Sequence, residues 1–326
     1  MQSGAAAVMQ DRENVRRLAE KLRENLAKCV DDPDVDAVHD TRTGTRRLQA
    51  TLENVVRELP DGDIVREAAT AMMRQLKKIR HAAGPVRDLD VHRKLLEKLI
   101  ARALDPEARR GEGDDKPAGD RSGLRAVNAP DVLETEEAGR RATGISQQAE
   151  DLDAWLKRRR SHLAEGLQSE AKRMVTKFDR RLAELEEALG ARRARRTRKK
   201  PPGVVALDAF ARLATEMQLL DAGNLHDFRK GAKKARYVAE LAAQGDVHAR
   251  QVGETLKKLQ DEIGDWHDWL VLAEEAHAAL GDKALIALVE SERERHFVAA
   301  MTTAAKLRGR LMGEWLAVRQ RSGNRA

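Results

Sequence analysis

Residues His39 to Arg47, HDTRTGTRR, place a histidine, an arginine three positions later and a basic pair at positions seven and eight. The same arrangement returns as His226 to Lys234, HDFRKGAKK, where the pair is Lys233 and Lys234. A second block follows each copy: LKKIRHAAGPVRDLDV begins at Leu76 and LKKLQDEIGDWHDWLV at Leu256, with matching glycines at Gly84 and Gly264. Two blocks in the same order mark a duplicated unit. At about 100° per helical residue with His39 as zero, Arg42 falls near −60°, Arg46 near −20° and Arg47 near +80°. In the second copy His226, Arg229, Lys230, Lys233, Lys234, Arg236 and Tyr237 share one stripe of the same phase. The opposite side of the first copy carries Val38, Thr41, Thr45, Leu48 and Leu52, the face expected against a core.

The chemistry this pattern suits is the binding of an oxyanion. The cations begin in the first turns of their helices, where the macrodipole disfavours positive charge, and no acid stands four residues after Arg42 or Arg229 to pair with it. A phosphate at such a place would be met by helix dipole, backbone N–H groups and side chains together. Lys77, Lys257 and Arg87 from the second block are further candidate ligands. Asp88 and Asp268, expected just after a turn, read as caps or as orienters of the basic groups. A glycine inside a helix costs about 1 kcal/mol relative to alanine, so Gly44 and Gly231 suggest close approach of a backbone or a ligand.

Elements able to hold these stripes are helical throughout. The 326 residues are 41% apolar and 35% charged, with few β-branched clusters, which favours an all-α chain with solvated faces. Apolar periodicity predicts helices over about 7–30, 36–59, 64–83 and 86–104, the last two separated by a turn at Gly84 and Pro85. Periodicity then vanishes over about 105–130, read as a mobile insertion. It returns over about 145–189, ahead of the basic run RRARRTRKK and the Pro201, Pro202, Gly203 boundary. Further helices are expected over about 204–220, 224–243, 247–263, 265–280 and 282–318. The first half is thus placed at 1–200 and the second at 201–326.

Composition removes several alternatives. Lys and Arg number 61 against 54 Asp and Glu, a net charge of only +7, so any basic function depends on placement. One cysteine, Cys29, excludes an internal disulfide and fits a reducing compartment. No apolar run approaches a membrane span or a signal peptide, so the expected location is cytoplasmic. The dipeptide HD at His39, His226 and His267 invites comparison with metal-dependent HD phosphohydrolases, but the arginine one turn after the first two would repel a divalent cation. Nucleic-acid binding is the stronger alternative, given a pI near 9.5. Against it stand 4 Phe, 4 Trp and 1 Tyr, of which only Tyr237 lies on a basic stripe, leaving little for base stacking.

HDTRTGTRR, GPVRDLDV, HDFRKGAKKARY and LKKLQDEIGDWHD together resemble the CHAD domain, the conserved histidine α-helical domain, across both halves apart from the insertion. The resemblance implies two helical bundles related by a pseudo-twofold, with basic helix faces lining a central groove or pore. It also implies binding of inorganic polyphosphate, with possible residence on polyphosphate granules. On that basis His39, Arg42, Arg46, Arg47, Lys77, Arg87, His226, Arg229, Lys230, Lys233, Lys234, Arg236, Tyr237 and Lys257 are the expected ligands. Hydrolysis is not implied, because no ExExK strand motif of the triphosphate tunnel domain fused to some members is found; no catalytic residue, cofactor or metal is expected. The copies differ where Gln49 answers to Arg236, Ala50 to Tyr237 and His81 to Asp261.

Limited proteolysis should cut first within 105–130, and excision of that stretch should leave helix content and anion binding unchanged. Loss of either on cleavage would overturn this division of the chain.

Overall fold

In a computed structural model, residues 2–56, 59–104, 132–191, 202–242, 246–281 and 283–323 are described, and among them all regular structure is helical, in eight helices. The 105–130 insertion, the RRARRTRKK run and the boundary near residue 200 lie outside the described residues. Helix α1 (Gln2–Asp31) forms around Val15, Ala19, Leu22, Leu26 and Cys29, all fully buried at three- and four-residue spacing. Helix α2 (Val35–Val56) is capped by Asp34, whose carboxylate accepts from the Ala37 N–H at 2.7 Å. Its predicted core face is buried at Val38, Thr41, Thr45, Leu48 and Leu52.

Helix α3 (Ile64–Leu104) corrects the expected turn at Gly84 and Pro85, since it runs unbroken through both. The apolar stripe Leu76, Ile79, Ala83, Val86, Leu89 is continuous and buried across that point. Pro85 removes the N–H that would bond the His81 carbonyl, but both residues lie on the exposed side, where water can take its place. Helix α4 (Val132–Ala191) is a single span. Helices α5 (Pro202–Glu216) and α6 (Leu225–Ala242) follow, joined by a turn in which Asp221 Oδ1 accepts from the Gly223 and Asn224 N–H groups at 2.8 and 3.0 Å. Helix α7 (Val247–Leu280) is also unbroken, against the expected division at Gly264. It is capped by Asp246 and stopped by Gly281 at φ 66°, a left-handed conformation that suits glycine. Helix α8 (Ala284–Gly323) completes the chain.

Packing repeats in order. Helix α1 lies on α2, α2 on α3, α3 on α4 and α4 back on α1; α5 to α8 contact one another in the same cycle. Each group has its own core, one around Leu22, Leu48, Met72, Leu76 and Phe178, the other around Phe210, Phe228, Leu256, Leu259 and Trp266. A third core belongs to both: Leu89, Leu96 and Leu99 of α3 and Leu152 and Leu156 of α4 meet Trp269, Leu272 and Ala276 of α7 and Leu285 and Val289 of α8. Beside it, His92 of α3 sits 2.7 Å from Glu275 of α7. The far ends of α3 and α7 therefore lock the two groups together, and the continuity of these helices makes that possible. Among the described residues no helix is long and apolar enough to cross a membrane.

Trp269 is 2% exposed at the centre of the shared core. Trp269→Ala should cost about 3–5 kcal/mol, and urea unfolding of the parent protein should show one transition by circular dichroism and fluorescence alike. Two separated transitions would make the groups independent domains.

Candidate functional site

Arg42 leaves α2 and crosses to α3, where its guanidinium lies against Gly84. A Cβ built at Gly84 would stand 2.8 Å from Arg42 Nη1, closer than real side chains approach. Asp88, one turn further along α3, faces Arg42 Nη2 at 3.5 Å. The second copy repeats the arrangement: a Cβ at Gly264 would stand 2.5 Å from Arg229 Nη2 and 3.0 Å from its Cζ. Arg229 Nε donates to the Gln260 carbonyl at 2.9 Å. Burial pushes both guanidinium groups below the ordinary arginine range, and the charges of Asp88 and Asp268 respectively oppose that shift. The glycines of the second block thus let an arginine lie on a helix backbone. Asp88 and Asp268, expected near helix starts, sit inside continuous helices and act on the arginines instead of capping. The absence of an acid at i+4 from Arg42 was a true reading of α2, yet the partner comes from α3.

Of the two reasons read for Gly44 and Gly231, close approach of a neighbouring chain segment or of a ligand, the packing supplies the first. A Cβ at Gly44 would meet Leu22 Cδ1 at 3.1 Å, and one at Gly231 would meet Leu213 Cδ1 at 2.5 Å. Both glycines admit a leucine from the preceding helix, α1 or α5, into the bundle.

The basic faces of α2 and α6, which pack against each other, form one cluster. Lys233 is held down to about 7, first by burial and then by Arg229, Arg46, Arg236 and Arg42. Arg46 also depresses Arg229 and Arg80, and burial is the larger cause in both. Next to this cluster, Arg46 and Arg47 of α2 face Arg236 and Tyr237 of α6 across a cleft of about 510 Å³ that also includes Leu18, Thr43, Ala50, Thr51 and Glu240. Arg236 lies 3.1 Å from Glu240 and 5.2 Å above the Tyr237 ring.

Other expected ligands are placed differently. His226 packs against His267 with ring centroids 3.9 Å apart and planes tilted by 35°, and neither Nδ1 has a partner although both atoms are buried. Burial, then Lys230 and Arg229, lowers His226; burial, then His226 and Arg229, pushes His267 down to about 4. Both rings are therefore neutral at pH 7. Lys230 pairs with Asp227 at 2.9 Å, and Lys257 with Asp261 at 3.1 Å, each on an exposed helix face. His39, Arg47, Lys77 and Lys234 are exposed, and Arg87 is half-buried. Its Nη1 is buried without a partner. Among the described residues no group of three or more His, Cys, Asp or Glu side chains could hold a metal ion. Sequence reasoning missed Arg80 because the repeat puts Gln260 at its position. It missed His267 because the matching residue is Arg87, although the HD dipeptide was visible there.

The CHAD domain family profile matches residues 13–277. A crystal structure of the CHAD domain from the plant Ricinus communis superposes with a TM-score of 0.52 at 16% identity, over 92% of this chain and 91% of that one. At that identity the likeness is one of fold. Comparison with curated proteins gives no match.

Lys233 binds its proton far less tightly in the fold, at about 7, than the ordinary 10.5. Between these values the unfolded chain holds a proton that the folded chain lacks, so this group makes stability rise with pH from about 7 towards 10.5; below 7 its penalty is present in full. Lys233→Met should raise Tm at pH 6 and flatten the rise above pH 7 in thermal melts. A lower Tm at pH 6 with an unchanged pH profile would show that the cluster carries no such strain.

Proposed function

Because this chain belongs to the CHAD domain family, we propose that it binds inorganic polyphosphate along the facing basic sides of α2 and α6, without catalysing its breakdown. The observation that carries this reading is the position of Lys233 among Arg42, Arg46, Arg229 and Arg236, contributed by two helices far apart in sequence. Like charges held this close destabilise the free protein and gain from a ligand that brings negative oxygens to all of them. A polyphosphate chain does so with one repeating unit, and a linear anion can follow both faces at once. Neutral His226 and His267 can donate from a ring N–H without adding to the repulsion. The acids nearest the arginines, Asp88 and Asp268, serve to hold them, which supports binding rather than bond cleavage. The cellular consequence is a cytoplasmic protein associated with polyphosphate granules.

One anion should engage both faces. Arg42→Met with Arg46→Met, and separately Arg229→Met with Lys233→Met, remove cations without adding charge; circular dichroism should show retained helix. Each charge-assisted contact contributes roughly 1.5–3 kcal/mol, so each pair should weaken long-chain polyphosphate by about 100-fold or more, at unchanged stoichiometry. Binding should also fall steeply with salt and persist in chelator. Half the sites surviving at full affinity in each variant would separate the faces, and full affinity in both would leave them as solvated surfaces.

A further inference from the structure

The Tyr237 hydroxyl can donate to a phosphate, but its ring and several other groups of the cleft beside the cationic cluster add contacts that a chain of phosphates does not use. Tyr237 offers an aromatic ring, Leu18 and Ala50 offer apolar contact, and Glu240 adds a carboxylate that repels phosphate. The opening arises where the two copies differ. Ala50 and Tyr237 hold equivalent positions of the repeated helices, and both line this cleft, one with a methyl group and the other with a ring. The volume, about 510 Å³, lies in the range of small-molecule sites, about 300–1,000 Å³.

Arg46 and Arg47 on α2 can take phosphates at one side of the cleft. On α6, the Arg236 guanidinium covers one face of the Tyr237 ring, 5.2 Å from its centroid, so a nucleobase would stack on the outer side of that planar guanidinium, backed by the ring. Glu240 Oε1 lies 3.1 Å from Arg236, and a carboxylate accepts on both of its oxygens. It therefore suits a ligand with an amino group next to its aromatic ring. We infer that this cleft takes a purine nucleoside polyphosphate, with the base beside Tyr237 and Arg236, its amino group donating to Glu240, and the phosphates on Arg46 and Arg47, continuing towards Lys233. The phosphate portion rests on the polyphosphate reading; the base portion does not.

Isothermal titration in chelator at fixed ionic strength, with ATP, inorganic tripolyphosphate and long-chain polyphosphate, separates the two. ATP should bind about tenfold or more tighter than tripolyphosphate, the increment expected of a stacked base. Glu240→Leu should cut the ratio of ATP to tripolyphosphate affinity by about tenfold, because it removes the acceptor for the amino group, whereas the repelling charge it removes acts on both ligands alike. Tyr237→Leu should bring the ratio of ATP to tripolyphosphate affinity close to one. If long-chain polyphosphate binds but ATP is no tighter than tripolyphosphate, or if Glu240→Leu changes both affinities alike, the nucleotide assignment fails and the polyphosphate reading stands. If none of the three binds, both fail.

Discussion

Mutual repulsion among cations drawn from two helices is the force this fold has to contain. Burial first, and then the charges of Arg229, Arg46, Arg236 and Arg42, lower the proton affinity of Lys233 to about 7. Isolated helices with these faces would separate. What holds them is apolar burial at a distance, in the core shared by α3, α4, α7 and α8, reinforced by the buried His92–Glu275 contact. The non-directional hydrophobic contribution at one end of the molecule thus supports an unfavourable charge arrangement at another.

The length of α3 and α7 is what joins these tasks. The first part of each helix closes its own bundle, the middle glycine receives an arginine from the neighbouring helix, and the last part enters the shared core. Placing Arg42 over Gly84 and Arg229 over Gly264 buries the flat guanidinium against backbone and leaves Asp88 and Asp268 to offset its charge. A break at either glycine, which local rules favour, would uncouple the arginine from the core that fixes it. The helix tolerates a poor helix former here because a side chain larger than hydrogen would occupy the guanidinium's place.

The periodicity of His39 to Arg47 and of its repeat was enough to read the fold class, the core face of α2 and most of the cations that meet. It carried the direction in which each side chain leaves its helix, which depends only on helical phase. Partners on other helices were beyond it. Gly84–Pro85 has the local character of a turn, and only burial on both sides of it shows why the helix continues; of the two roles read for Asp88 and Asp268, capping falls with that turn, whereas orienting the basic groups agrees with their place beside Arg42 and Arg229. Lys77 and Lys257 have the right residue type, but the same helical phase that buries Leu76 and Leu256 turns them outward, and Lys257 is further occupied by Asp261.

The two copies share a plan and differ in the chemistry they retain. Gln49 donates to Glu53 at 2.7 Å on α2, whereas the equivalent pair on α6 is the charged Arg236 and Glu240. On the buried side, Thr41 and Thr45 of α2 answer to Phe228 and Ala232 of α6, and all four are buried. Helix α6 thus carries a cation and a ring on its outer side and a larger aromatic anchor within, where α2 has Gln49, Ala50 and Thr41. The groups at the Tyr237 end of α6 therefore differ in charge, shape and hydrogen-bonding capacity from those at the corresponding positions of α2, so the two basic faces are not interchangeable.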